Sequence, residues 1–342
     1  MYIDEVMEQP QALRCLLDAY LDGTALATLK GDEVRGDILF TGIGSSCHAS
    51  LVAVEVLNAE GIAAFSWEAG EFFYYNLGCA RPDDLLIAVS QSGESLEVRK
   101  TVEALRGQVR LVGITNAPDS FLGRHCDLTL PLYAGPEEGT TSKTYVNTLA
   151  LSLILAWHLS GKLGKAEREE LRRIPDMMAH FLNSWQTRID PLVEFLGEIP
   201  FLYLIARGPS LATAQQGALI LQESPHIRAV AMSGATFRHG PIEMAVEGHR
   251  AIVFAPAGHT APLSVNLACD MAELGSRVVL VSNVEVDLEH ENLRVLALPQ
   301  VDEYLFPLLD ILPVELMLIR WAKAKGIEPG TFVVGGKITK KE

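Results

Sequence analysis

The chain has 342 residues, 49% of them hydrophobic and 21% charged, with a formal net charge of −15. That is more than one typical domain and well away from the composition of disordered chains. The charge excludes partners that are recognised by clustered Lys and Arg, so neither nucleic acid nor an anionic membrane surface is an expected partner. Any bound anion has to be held by local backbone amides and helix starts.

The opening MYIDEVMEQPQAL carries acidic residues where an export signal needs positive ones, and the longest apolar stretch, Leu149 to Leu159, is too short to span a bilayer. The expectation is a cytoplasmic protein with a buried helix over that stretch. Cys15, Cys47, Cys79, Cys126 and Cys269 are widely spaced and include no C-x-x-C pair, so reduced thiols are expected rather than disulfides or zinc ligands. No histidine pair has metal spacing, and no metal or cofactor is expected.

In chain order, the segment before Arg35 places Leu13, Leu16, Leu17 and Leu21 at helical spacing. Five short apolar runs follow, starting at Asp37, Ile62, Asp83, Val109 and Asp127, and they alternate with helix-length segments. This is the pattern of a parallel sheet covered on both faces. A second set starts at Phe201, Ile227, His249, Arg277 and Leu293. Corresponding runs lie about 165 residues apart, and ILFTGIGSS answers LYLIARGPS.

The predicted fold is therefore α/β, with two doubly wound, flavodoxin-like parallel-sheet subdomains related by duplication. The expected boundaries are 1–160 for the first helix and subdomain, 161–189 for a helical bridge, 190–326 for the second subdomain and 327–342 for a Gly-rich tail. The stretch from Thr144 to Thr187 reads as long helix, interrupted near Gly161 to Gly164 and at Pro175, that joins the two lobes.

In open parallel sheets ligands collect beyond the carboxyl ends of the strands. Two loops there are rich in Gly and Ser and open helices: GIGSSCH, Gly42 to His48, and SQSGES, Ser90 to Ser95. Hydroxyls and free amides at a helix start suit a phosphate. The plainer alternative makes Ser92 and Ser95 helix caps and Gly93 a turn residue. In the second set, Glu223 ends a helix just before Pro225, and His239 stands in a turn beside Gly240 and Pro241. Glu and His suit enolisation and ring opening of a sugar, although taken singly a Glu at a helix end is more often a solvated residue and a His in a turn more often a polar turn residue.

Taken together, MEQPQAL, GIGSSCH, SQSGES, EEGTTSKTY, QGALILQES, FRHGP and the terminal GGKIT resemble the double-SIS (sugar isomerase) family over nearly the whole chain. Its members include the isomerase half of glucosamine-6-phosphate synthase and free-standing amino-sugar-phosphate deaminases and deglycases. The resemblance implies a phosphate grip from Ser46, Ser90, Gln91, Ser92 and Ser95, and a sugar-side loop with Thr141 and Lys143. It also implies Glu223 as the enolising acid/base, His239 as a ring-opening histidine reaching into a neighbouring subunit of a homodimer, and Lys337 on a tail that covers the open-chain sugar.

Departures from the pattern are informative. No glutaminase segment or N-terminal Cys precedes the pair, since Tyr2 follows Met1, so glutamine-driven synthesis is not expected. Ile220 stands where the synthase has a lysine one turn before the glutamate, and Glu97 replaces the usual Asp after the serine loop. Three functions stay open: a deaminase or deglycase acting on an amino-sugar phosphate or fructosamine 6-phosphate, a simple aldose–ketose phosphate isomerase, and a non-catalytic sugar-phosphate sensor.

Overall fold

The computed structural model describes residues 1–22, 24–31 and 34–337. The chain divides into two compact units: Glu8–Pro175 with Phe332–Glu342, and Met1–Met7 with Asp176–Thr331. Each contains one five-stranded parallel sheet, and every one of the ten apolar runs forms a strand. The last five tail residues, 338–342, which include the IT of GGKIT, lie outside the described residues.

In the first unit, helix α1 (Tyr2–Leu21), which belongs to it from Glu8 onward, leads to β1 (Ile38–Gly42), α2 (Ser45–Ala59), β2 (Ala64–Glu68) and the single turn α3 (Ala69–Glu71). Then come β3 (Leu85–Val89), α4 (Leu96–Leu105), β4 (Arg110–Thr115), α5 (Phe121–His125), β5 (Leu128–Pro131) and α6 (Lys143–Leu159). The strands lie in the order β2-β1-β3-β4-β5, all parallel. All five residues of β1 and of β3 are buried, as central strands covered on both faces require. Each large apolar side chain withdrawn from water in this way contributes about 1.5–3 kcal/mol.

The long apolar helix is α6, buried at all its residues but His158 and packed against α2. His158 spends its Nε2 on the carbonyl of Leu29 at 2.5 Å. The helical stretch breaks across Gly161 to Gly164, between α6 and α7 (Lys165–Asn183), but runs on through Pro175, and its next break falls at Ser184, before α8 (Trp185–Leu196). Of these helices α6 belongs to the core of the first unit, because its continuous apolar surface can only be covered from all sides. Leu13, Leu16, Leu17 and Leu21 of α1 are buried as their spacing predicts.

The second unit continues with β6 (Leu202–Ala206), α9 (Leu211–Glu223), β7 (Ala229–Ser233), α10 (Gly234–Arg238), β8 (Arg250–Ala255) and α11 (Ala261–Glu273). It closes with β9 (Arg277–Ser282), β10 (Leu293–Ala297) and α12 (Pro307–Ala324). The order β7-β6-β8-β9-β10 repeats the first sheet with five added to every number. One face packs Tyr203, Ile205 and Val253 against Phe237 of α10 and Leu267 and Met271 of α11. On the other face α9 approaches so closely that a Cβ on Gly217 would lie 2.5 Å from Leu204 Cδ2.

Local hydrogen bonding repeats too. After β4, Leu132 N donates to Thr115 O (2.9 Å), and Ala117 N donates to the Thr115 hydroxyl (3.2 Å). After β9, Leu298 N donates to Ser282 O (2.8 Å), and Val284 N donates to the Ser282 hydroxyl (3.1 Å). Asn116 and Asn283, the next residues, each accept from one loop amide and donate to one loop carbonyl. Among the described residues, no helix is long and apolar enough to cross a membrane.

Candidate active site

In the first sheet β1 and β3 are neighbours although the chain visits β2 between them. The crossovers from these two strands depart in opposite directions, which opens a crevice at their carboxyl ends, the usual ligand position in this fold class. The two Gly/Ser loops are the segments that leave β1 and β3 there.

The loop after β1 turns on Gly44, whose φ of 52° lies in the left-handed region. It folds back so tightly that a Cβ on Gly42 would sit 2.9 Å from Ser46 Cβ. Ser46 thereby stands in the first turn of α2, a helix whose N-cap Gly44 makes no side-chain capping bond.

The loop after β3 is pinned from beneath. Ser90 N donates to Ile114 O (3.0 Å), Asn116 N to Gln91 O (3.0 Å) and Leu122 N to Gly93 O (3.1 Å). Glu94 accepts from Phe121 N at 2.7 Å and pairs with Arg99 at 3.3 Å. Gly93 is required twice over: its φ is 66°, and a Cβ would fall 1.8 Å from Ser120 Oγ. Ser95 is the N-cap of α4, yet its hydroxyl makes no cap bond and lies 2.9 Å from Ser90 Oγ. Ser92 Oγ accepts from Glu94 N at 3.2 Å. Ser95 thus occupies the cap position without a side-chain cap bond, while Gly93 has the positive φ of a turn glycine. Neither α2 nor α4 has its first amides capped by its own N-cap side chain, which leaves two helix starts on one crevice for an anion.

The EEGTTSKTY segment is organised by a residue that the sequence did not single out. The Glu137 side chain is wholly buried. Its Oε1 accepts from Ser142 N (3.0 Å), Ser142 Oγ (3.4 Å) and Thr144 N (2.9 Å), and its Oε2 from Thr144 Oγ1 (2.6 Å). Lys337 of the tail donates to the same Oε2 at 2.7 Å and to Glu137 O at 3.0 Å. Thr141 lies half-buried inside this loop. Lys143 is the first residue of α6, nearly fully buried, with its amine 2.5 Å from Glu8 Oε2. The structure therefore joins Lys337 to the loop that begins at Glu137 and commits the Lys143 amine to an ion pair with α1. The legible signal for Glu137 was a carboxylate followed within seven residues by four hydroxyls.

In the second unit, Glu223 is the last residue of α9 and is half-buried. His239 follows α10 and is exposed, beside Gly240 with φ of 133°. Because α9 and α10 cover opposite faces of the sheet, the two residues leave it on opposite sides. Ile220, one turn before Glu223, is fully buried, so no ammonium group stands there.

The corresponding crevice of this sheet, between β6 and β8, has a left-handed Gly208 (φ 55°) where the first has Gly44. Its second loop, PAGHT from Pro256, lacks the serine cluster, and a Cβ on Gly258 would lie 2.1 Å from a Glu303 carboxylate oxygen. An acidic side chain at that spot disfavours an anion, so the second crevice does not repeat the hydroxyl-lined loop of the first. Asp310 is fully buried, bound by Ser210 Oγ (2.8 Å) and Thr213 Oγ1 (2.5 Å), and burial pushes its carboxyl up to about 8.

Two parallel sheets, each flanked by helices and built on one repeated topology, with hydroxyl-lined helix starts at a switch point, define a doubled α/β binding fold. The SIS domain family matches residues 34–158 and 200–323, the spans holding the two sheets, and the chain belongs to that family. It is 28% identical over 340 residues to glutamine–fructose-6-phosphate aminotransferase [isomerizing] of Thermococcus kodakarensis, an alignment covering 96% of this chain and 56% of that protein. The chain spans about half the length of the curated relatives it matches.

Among solved structures, the C-terminal domain of glucosamine-fructose-6-phosphate aminotransferase from Francisella tularensis has a TM-score of 0.85 at 22% identity, covering 96% of each chain. At that identity the likeness is one of fold. A protein from Silicibacter pomeroyi DSS-3 described as a candidate phosphosugar isomerase has a TM-score of 0.83 at 26% identity, covering 96% of this chain and 99% of the other.

Proposed function

We propose that the chain is a cytoplasmic, homodimeric phosphosugar isomerase that acts as a deaminase or deglycase on an amino-sugar phosphate or fructosamine 6-phosphate. The observation that carries this reading is the pair of uncapped helix starts, with Ser46 and the Ser90–Ser95 loop, on the β1/β3 crevice. On a net charge of −15, such a concentrated set of amides and hydroxyls is a local anion site rather than part of a basic surface.

In this reading Ser46, Ser90, Gln91, Ser92 and Ser95 hold the phosphate, and Thr141 contacts the sugar. His239 of a second copy opens the ring by moving a proton from the C1 hydroxyl to the ring oxygen. Glu223 then takes the proton at C2 of a 2-amino aldose and returns it to C1, leaving an imine at C2. Water adds to that imine and ammonia departs, so one water is consumed and one ketose phosphate is released. With the amine at C1 of a fructosamine, the same shuttle runs from C1 to C2 and an aldose phosphate and free amine result. The Lys337 ammonium faces the oxygen that gains charge in the enolised state. The exit of α9 and α10 on opposite sheet faces supports a His239 that works beside the Glu223 of another copy. Buried Ile220 supports chemistry without the ammonium group that the synthase pattern has one turn before the glutamate.

The test is to mix the purified protein with glucosamine 6-phosphate and with fructosamine 6-phosphates and to follow amine release and sugar-phosphate products. Amine release from one class identifies it. Isomerised sugar phosphate with no amine released identifies a simple aldose–ketose isomerase. Saturable phosphosugar binding with no turnover of any member would overturn the catalytic reading in favour of a sensor.

A further inference from the structure

We propose that Glu137 is a positioning residue that latches the tail and the sugar-side loop into one arrangement, a role that rests on the phosphosugar reading above. Its carboxylate is shared between two structures far apart in sequence. One oxygen is filled by donors of the α6 start, Ser142 N, Ser142 Oγ and Thr144 N, and the other takes Thr144 Oγ1 and the Lys337 ammonium. A second bond from Lys337, to the Glu137 carbonyl, fixes the amine on both sides of the residue.

Such an arrangement has two consequences. The wholly buried charge of Glu137 is matched by the Lys337 cation, so the tail is held where it is by the need to compensate that charge. Equally, Thr141 and the first turn of α6 keep their conformation through the same carboxylate, since Ser142 and Thr144 bracket Lys143 and follow Thr141 directly. Docking of the tail and shaping of the sugar-side loop are thus one event. Glu137 touches no reacting atom in this scheme. It sets the Lys337 amine at the height of the loop, leaving phosphate affinity to the serine loops.

The variant Glu137→Gln keeps an oxygen for Ser142 and Thr144 and removes the charge that Lys337 answers, and Glu137→Asp restores the charge on a shorter stem. The first readout needs no substrate: the rate at which an amine-acylating reagent labels Lys337, followed by peptide mass spectrometry on the intact folded chain. Labelling is expected to rise about fivefold or more in Glu137→Gln and to fall part of the way back in Glu137→Asp. The second readout is turnover of glucosamine 6-phosphate or whichever phosphosugar the protein accepts, where kcat should drop at least tenfold with KM within about threefold.

Unchanged Lys337 labelling in folded Glu137→Gln protein overturns the latch, whatever the substrate. Faster labelling with kcat and KM both unaltered overturns its positioning role. If Glu137→Gln does not fold, Lys337→Gln provides the converse probe. Limited proteolysis of residues 332–337 should then accelerate, and an unchanged cleavage rate overturns the latch as well. Loss of labelling control and loss of turnover are separate signals, so failure of the phosphosugar reading leaves the latch testable.

Discussion

The Lys337 amine lies 2.7 Å from Glu137 Oε2, across 200 residues of sequence, and the carboxylate it meets is inaccessible to solvent while the lysine side chain keeps 20% of its surface. Lys337 is thereby tied to the interior of the first unit by a charge. Replacing Lys337 with Met leaves Glu137 ionised with neutral donors only. The expected cost is about 1–3 kcal/mol, less than for a fully buried pair because water can reach the vacated position. Urea unfolding of Lys337→Met measures it, and an unaltered midpoint would show the pair to be energetically idle.

Gly93 separates the phosphate-grip reading from a merely structural loop. Any side chain there meets Ser120 Oγ at 1.8 Å and must adopt φ of 66°. Gly93→Ala is expected to lose about 1–3 kcal/mol of stability and to raise KM for the phosphosugar more than tenfold by displacing Ser92 and the α4 start. Ser92→Ala, which alters no backbone, is expected to leave the melting temperature within about 2 °C while raising KM several-fold. Equal KM values for wild type and both variants would remove the loop from the site.

Glu223 and His239 leave the second sheet on opposite faces, and that geometry makes their cooperation within one copy the harder arrangement. Glu223→Gln is expected to abolish turnover and retain phosphosugar binding, and His239→Ala to lose ring opening. Mixing the two inactive proteins and allowing subunits to exchange should restore up to about one quarter of wild-type activity through hybrid sites that carry both intact residues. Activity that stays at the level of the separate variants after proven exchange would place both residues in one copy's site.

All ten strands were legible because parallel strands covered on both faces read as short unbroken apolar runs. The strand order came only with the doubly wound, flavodoxin-like fold class, since pairing of β1 with β3 and of β6 with β8 is a matter of crossover direction rather than of local pattern. The serine loops stood out because two Gly/Ser turns follow strands of one sheet and each opens a helix. Glu137 escaped notice because its partner is 200 residues away. Lys143 illustrates the reverse: its position beside the loop was plain, and only the fold could show its long side chain turning to Glu8. Asp310 was hidden in the apolar run PLLDILPVEL, where it gives no periodic signal and gains meaning only from Ser210 and Thr213.

His249 sets a pH dependence that does not depend on function. It is almost fully buried at the start of β8, stacked 5.2 Å from Tyr203, with Nδ1 on Ser276 Oγ at 3.0 Å and a buried Nε2 that has no hydrogen-bond partner. Burial first, and then the neighbouring Arg250 charge, push it down to about 4 from the ordinary 6.5. Between those values the unfolded chain binds a proton that the folded chain refuses, so stability is complete above pH 6.5 and is lost as the pH falls toward 4. A shift of that size corresponds to about 3 kcal/mol at most. His249→Phe keeps the stacking with Tyr203 and cannot titrate, so its urea midpoint should fall less than that of wild type between pH 7 and pH 4.5, even if it is lower at pH 7 through the stranded Ser276 hydroxyl. Parallel slopes for the two proteins would show that His249 takes up its proton without unfolding the second unit.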